Sequence, residues 1–367
     1  MKQAFRFLCW WALLTNLFAL LMVNRLNLKA DTAFTWINPW ETLQLQSWNP
    51  ISLHARWDSV WLIELAKHGY HLEPETPLSN LNFLPLYPIL MRALAPFTAG
   101  NYIMAGWMAS LLCLAGALAI FYRLLREFHP EVDPHQAIFY LLIFPSSFTL
   151  NAVYTESLFL LLSLLTFYHA LKGRFTLAGI FGFLAALTRI NGILLLLPLV
   201  WEYFRRHGRS GLRQRSFLSI FLVPFGTFLF FFHHYLRFGD FLIYLRIQKE
   251  FGRALFQVNH EHFVFSSHPA VANFTFDVIF LFFGVWSTWL VFKRGWNSYG
   301  LYLLASLLLI VATGTLAGMG RYCVVLFPFF IALATIESRQ FERVYTVGSV
   351  LLLGLNITLY VNWYWGV

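Results

Sequence analysis

Few side chains in this sequence could do chemistry, and they fall in five short stretches. Asp58, Glu64, Lys67 and His68 lie in "HARWDSVWLIELAKHGYH" (residues 54–71), and Glu156 lies in "FPSSFTLNAVYTESLFLLL" (144–162). Arg189 belongs to "LTRINGILLLLP" (187–198), and Gln248, Lys249 and Arg253 belong to "RFGDFLIYLRIQKEFGRAL" (237–255). Arg321 follows three glycines in "GTLAGMGRYCVVLFP" (314–328). An arginine presents a planar fork that pairs bidentately with phosphate, and Lys249 with Arg253 forms a cationic pair one helical turn apart of the kind a lipid phosphate attracts. Each residue also has a plainer reading. Asp58 suits the N-cap of the helix that follows it, Thr155 or Ser157 suits the cap of the next, and Glu156 favours that helix's positive end. Lys67, His68 and Arg321 can snorkel to headgroups. No GxGxxG, Walker A, Asp-x-Asp, HExxH or Gly-x-Ser-x-Gly occurs, so the sequence asks for no nucleotide and no tightly bound metal.

The elements that must position these residues follow from composition. Of 367 residues, 59% are hydrophobic and only 12% charged, and the mean hydropathy is +0.62. That is the balance of an all-α polytopic membrane protein, since a soluble domain carries roughly twice the charge. Cys9, Cys113 and Cys323 sit in apolar runs and read as small buried hydrophobes without a disulfide or metal spacing. The apolar run from Phe7 to Val23 is longer than a signal peptide's core and reads as an uncleaved first span.

A hydrocarbon core about 30 Å thick takes roughly 20 apolar residues as helix. Spans are predicted near residues 5–24, 101–123, 134–150, 156–171, 175–188, 191–204, 216–236, 271–292, 299–315, 322–336 and 344–362, about eleven in all. Asn191 and Gly192 beside Arg189 divide what would otherwise be one long helix. With the N-terminus in the cytoplasm, the short inside loops hold 15 of the 26 Lys and Arg, among them Arg205, Arg206, Arg209, Arg213 and Arg215. The formal charge of +9 is thus mostly topological and needs no nucleic-acid partner. Arg56, Asp58, Glu64, Lys67, His68, Arg92, Glu156, Arg189, Asp240, Lys249, Arg253 and Arg321 remain on the outer face. Insertion does not account for them, and a shared polar site at that interface does.

Residues 25–100 form a long first outer loop, with 101–362 as the remaining bundle of one membrane domain. Helical spacing puts Trp57, Trp61, Glu64 and His68 on one face and Asp58, Leu62 and Leu65 on the next. The expectation is an amphipathic helix in the headgroup plane, anchored by its tryptophans. Pro85, Pro88 and Pro96 cut the following stretch into short interfacial or re-entrant pieces.

Taken together, "RWDSVWLIELAKHGY", "NFLPLYPILMR", "FPSSFTLNAVYTESLFLLLSL", "GFLAALTRINGILLL", "FGDFLIYLRIQKEFGR" and "GRYCVVLFPFF" resemble the PIG-V group of GT-C membrane mannosyltransferases, whose eukaryotic members are GPI mannosyltransferase II. The blocks run in the family's order from residue 54 to 330, about three quarters of the chain, and the first is the most specific. Without long insertions, the chain looks more like the family's prokaryotic members.

The resemblance implies a GT-C-type bundle in the bacterial inner membrane. It implies transfer of a sugar, mannose in characterised members, from a polyprenyl-phosphate carrier to a hydroxyl of a lipid-linked or surface acceptor, on the outer face and with inversion. Asp58 matches the family's general base, with Glu64 as a second candidate. Arg321, then Arg253 and Lys249, are the expected phosphate ligands. Glu156 and Arg189 are expected to hold the site or sugar hydroxyls, and Trp57, Trp61, His68, Tyr87 and Gln248 to contact sugar, acceptor or prenyl units. No cofactor beyond the polyprenyl-linked donor is implied. A polyprenyl-lipid flippase or solute transporter is the alternative, though such proteins tend to show internal repeats and midplane charges, and neither is evident here.

Overall fold

A computed structural model of the chain describes residues 1–23, 50–72, 79–256 and 269–364, with backbone only for 269–273. Residues 25–49 and 73–78 of the expected outer loop therefore lie outside the described residues. In chain order the helices are α1 (Lys2–Met22), α2 (Ser59–His68), α3 (Leu86–Leu94), α4 (Tyr102–Phe128), α5 (Pro134–Ile143), α6 (Glu156–Leu171), α7 (Phe175–Ala186) and α8 (Leu196–His207). They continue as α9 (Arg215–Leu218), α10 (Leu222–Phe238), α11 (Ile243–Glu250), α12 (Pro269–Lys293), α13 (Asn297–Ala312), α14 (Met319–Val324), α15 (Phe327–Ala334) and α16 (Arg339–Val361). No strand occurs among the described residues.

Sequence chemistry sets several of the boundaries. Asn101 accepts from the Met104 N–H to start α4, Asp133 caps α5 ahead of Pro134, and Ser338 caps α16. The bundle is built by α6 between α4 and α7, with α10 against α7, α12 against α13, and α1 against α16. Its surface is apolar: Leu13, Leu14, Leu17, Phe282, Trp289, Leu308 and Leu351 are all exposed. Five helices (residues 2–22, 102–128, 215–238, 274–293 and 339–361) are long and apolar enough to cross a membrane, and α6, α7 and α13 are shorter apolar helices. Lipid-facing surface of this extent makes the chain an integral membrane protein.

Several expectations need correction. The predicted span 134–150 is helical only to Ile143, because Pro145 cannot continue it, and a 3-10 turn covers Ser147–Asn151. The predicted span 322–336 is two pieces, α14 and α15, parted ahead of Pro328. Cys9 is exposed on the outward face of α1, while Cys113 and Cys323 are buried as expected. The larger correction concerns α2. It does not lie exposed in the headgroup plane; Val60, Trp61, Leu62 and Ile63 are at most 2% exposed, and the helix packs on α3 and α4. Apolar residues on every side of its first two turns bury it instead of leaving a stripe for lipid.

The predicted break at 187–192 is present. α7 ends at Ala186, Arg189 is extended, and a 3-10 segment Ile190–Leu195 leads into α8. Gly192 makes the break possible, since a Cβ there would lie 2.5 Å from the Ala185 backbone. Substituting Gly192→Ala should lower stability by about 1–3 kcal/mol through overpacking, seen as a fall in the Tm of the detergent-purified protein. An unchanged Tm would argue against this close approach.

Candidate active site

Asp58 occupies the N-cap position of α2, yet its carboxylate makes no capping hydrogen bond. It reaches instead to Arg321, whose Nη1 lies 2.7 Å from Asp58 Oδ2. The same guanidinium donates from Nε to Glu156 Oε1 at 2.9 Å and places Nη2 2.8 Å from that oxygen. Arg189 Nη1 approaches Glu156 Oε1 from the other side at 2.9 Å and donates to Thr155 Oγ1 at 3.1 Å. Glu156 is fully buried, so the two guanidiniums offset its desolvation. The capping reading of this region does not hold: Thr155 makes no capping bond, and Ser157 Oγ donates to the Leu150 carbonyl.

Each charged residue has a mount. Trp57, immediately before Asp58, is left-handed with φ 53°, a backbone state that a bulky residue keeps only when its surroundings enforce it. The enforcement comes from Arg56. Its buried side chain donates to the carbonyls of Val361, Ser52 and Ala55 and stacks over Trp363 at 4.9 Å. Burial lowers its pKa to about 10, so it stays charged at the C-terminal end of α16. Tyr154 and Tyr360 complete the clip by bonding the Arg56 backbone at 3.2 Å each. Beside it, burial takes the His54 imidazole down to about 4, which leaves it a neutral ring stacked on Trp107.

Arg321 is fixed with equal care. Asp277 Oδ1 accepts the Met319 N–H at 2.9 Å, and Ser146 Oγ donates to the Gly320 carbonyl at 2.7 Å, so α14 is held at both faces. The guanidinium covers the Tyr154 ring at 4.3 Å. Burial alone would depress its pKa, but Glu156 and Asp58 reverse this and hold it well above the ordinary arginine value.

Asp58, Arg189 and Arg321 line one cavity of about 450 Å³ together with Asn82, Phe83, Leu84, Thr155, Thr188, Ile190, Asn191, Tyr244, Gln248, Phe251, Arg253, Thr315, Ala317, Gly318 and Tyr322, and Glu156 lies buried behind that wall. Three guanidiniums and two carboxylates leave the site one net positive charge, and the amides and hydroxyls around them suit a polyhydroxylated ligand. Arg253 bonds the Tyr322 hydroxyl and the Ala317 carbonyl. Among the described residues no group of three His, Cys, Asp or Glu could hold a metal ion.

Other expected site residues lie elsewhere. Glu64 faces His71 at 3.7 Å and the exposed His68 at 4.0 Å, outside the cavity lining. Lys249 is exposed and also outside it, whereas Gln248 lines the wall and donates to Tyr244 Oη at 2.8 Å. Tyr87 is a core residue whose hydroxyl donates to the Gly106 carbonyl at 2.8 Å. Trp57 packs against Trp363, and Trp61 stands behind the lining residues Phe83 and Phe251 with ring centroids 6.4 and 6.1 Å away. Sequence reasoning passed over Tyr322, Tyr244, Asn82, Thr188, Asn191 and Thr315. The available signals were the adjacency of Tyr322 to Arg321 and of Thr188 and Asn191 to Arg189, and the helical face that Tyr244 shares with Gln248 and Phe251.

Removing the anion shared by the arginines should be costly. Glu156→Leu leaves Arg189 and Arg321 facing each other without their shared, fully buried counter-ion and should cost about 3–5 kcal/mol. Thermal unfolding reads this directly, and a variant as stable as the parent would contradict the shared pairing.

No protein-family model matches this chain, and no curated protein matches it. Among solved structures it is similar to ArnT from Cupriavidus metallidurans bound to undecaprenyl phosphate, with a TM-score of 0.53 and 13% identity over 90% of this chain and 76% of that one. It is also similar to the Archaeoglobus fulgidus oligosaccharyltransferase, with a TM-score of 0.45 and 13% identity over 97% of this chain and 53% of that one. The architecture is that of the GT-C glycosyltransferase fold.

Proposed function

We propose that this chain is a membrane glycosyltransferase of the PIG-V type, moving a sugar, mannose by preference, from a polyprenyl-phosphate carrier to a hydroxyl of a lipid-linked or surface acceptor. One observation carries the reading: Asp58 and Arg321, 263 residues apart, meet at 2.7 Å on the wall of a polar cavity. A carboxylate and a guanidinium so placed are what a base and a phosphate ligand require. The fold shared with an undecaprenyl-phosphate-bound protein supports a polyprenyl-phosphate donor. A second, largely apolar cavity of about 430 Å³, lined by Leu65, Tyr70, Pro85, Pro88, Ile89, Leu187, Leu229 and Phe230 among others, lies beyond Leu84 and Tyr244 and suits an isoprenoid chain.

The step balances as follows. The acceptor oxygen attacks the anomeric carbon on the face opposite the phosphate, its proton passes to Asp58, and the anomeric C–O bond breaks with its electron pair left on phosphate. Configuration inverts in a single displacement. The donor phosphodiester carries one negative charge, which balances the site's single positive charge. On transfer the phosphate gains a second charge while Asp58 becomes neutral, which frees Arg321 Nη1 for the phosphate as the new charge develops. Arg253 and Arg189 supply the other cations, and the neutral wall from Asn82 to Gln248 supplies hydrogen bonds for sugar hydroxyls. The expected orientation puts this site on the outer face of a bacterial inner membrane, with the N-terminus in the cytoplasm.

With radiolabelled polyprenyl-phosphate-mannose and purified protein, Asp58→Asn should lower transfer or slow donor hydrolysis about 10²- to 10⁴-fold. Glu64→Gln, outside the cavity, should stay within a few-fold of the parent. Loss in Glu64→Gln alone would move the base to that residue, and no turnover with any of several polyprenyl-phosphate sugars would remove the transferase reading.

A further inference from the structure

Tyr322 follows Arg321 in the six-residue helix α14 and lines the cavity. Two guanidiniums lie near its ring, Arg189 and Arg253, both 5.4 Å from the centroid. Its hydroxyl oxygen accepts from Arg253 Nη1. A phenol has one proton to donate, and among the described residues no protein group takes it. Charge alone therefore does not describe this wall: beside two of the cations stands a phenol whose oxygen is held by one of them, and its O–H is left for whatever occupies the cavity.

Resting on the transferase reading above, we propose that Tyr322 is a catalytic residue, donating a hydrogen bond to the departing phosphate oxygen as the anomeric C–O bond breaks. The phenol keeps its proton throughout. The acceptor's proton is the one transferred, to Asp58, and the electron pair of the broken bond stays on the phosphate. The arrangement also divides labour: Arg321 is shared with Asp58 until that carboxylate is protonated, whereas the Tyr322 hydroxyl hydrogen has no protein acceptor among the described residues. A donor of this kind strengthens as charge accumulates on the oxygen, so its contribution belongs to the transition state more than to the bound donor.

The test is Tyr322→Phe, which keeps the ring beside the arginines and removes only the hydroxyl. With undecaprenyl-phosphate-mannose as donor, kcat should fall about 10²-fold while the donor KM stays within about threefold, the pattern of an interaction made in the transition state. A wild-type kcat, or a raised KM with kcat unchanged, would overturn the assignment while leaving the transferase reading intact. A parent protein that releases no undecaprenyl phosphate from any donor sugar overturns both. Should Tyr322→Phe fail to fold, 3-fluorotyrosine incorporated at position 322 preserves the packing and the bond from Arg253. Its more acidic phenol should alter kcat, and an unaltered kcat would again overturn the proposal.

Discussion

The guanidinium of Arg321, shared between Asp58 and Glu156, is the interaction on which the rest of this structure depends. It brings together a loop near residue 58, a helix start at 156 and a short helix at 321, and it does so around a fully buried carboxylate, where an unpaired charge would be expensive. The mounts around it follow from that cost. Arg56 clips the Asp58 loop to the end of α16, Asp277 and Ser146 clamp α14, and the left-handed Trp57 is tolerated because its neighbours leave it no alternative.

The same economy of charge gives the site its chemical character. Glu156 is spent on two arginines and is fully buried, so it acts as a fixed counter-ion. Asp58 is ion-paired with one arginine among the described residues and borders the cavity, within reach of whatever occupies it. That asymmetry assigns distinct work to two acids that look alike in the sequence. It also ties the base to the leaving group, because the cation released from Asp58 is the one nearest to the phosphate's position in the proposed reaction.

Much of this was legible in the sequence, and the limits are physical. The membrane character and the break at Arg189–Gly192 followed from hydropathy and glycine placement, and the charges left over from insertion included Asp58, Glu156, Arg189, Arg253 and Arg321, but also Glu64, Lys67, His68 and Lys249, which do not line the cavity. Helical spacing could not decide which acid faced inward: Glu64 lies six residues after Asp58, and tertiary packing turned it toward His71. Lys249 and Arg253 looked like one cationic pair, but the chain leaves helix α11 at Phe251, so only Arg253 swings into the cavity. Amphipathic reasoning also misplaced α2, since tryptophans that anchor to lipid and tryptophans that fill a core are the same residues in sequence. For Tyr322 the sequence offered only its adjacency to Arg321, because its significance lies in two arginines 69 and 133 residues earlier in the chain.

The measurement closest to the central claim is a double-mutant cycle on single-turnover sugar transfer, comparing Asp58→Asn, Arg321→Met and the two combined in proteins of matched thermal stability. If the pair works as one charge-coupled unit, the double variant should be no slower than the more damaged single variant. Losses that multiply would contradict the coupling and leave Asp58 and Arg321 as neighbours that act independently.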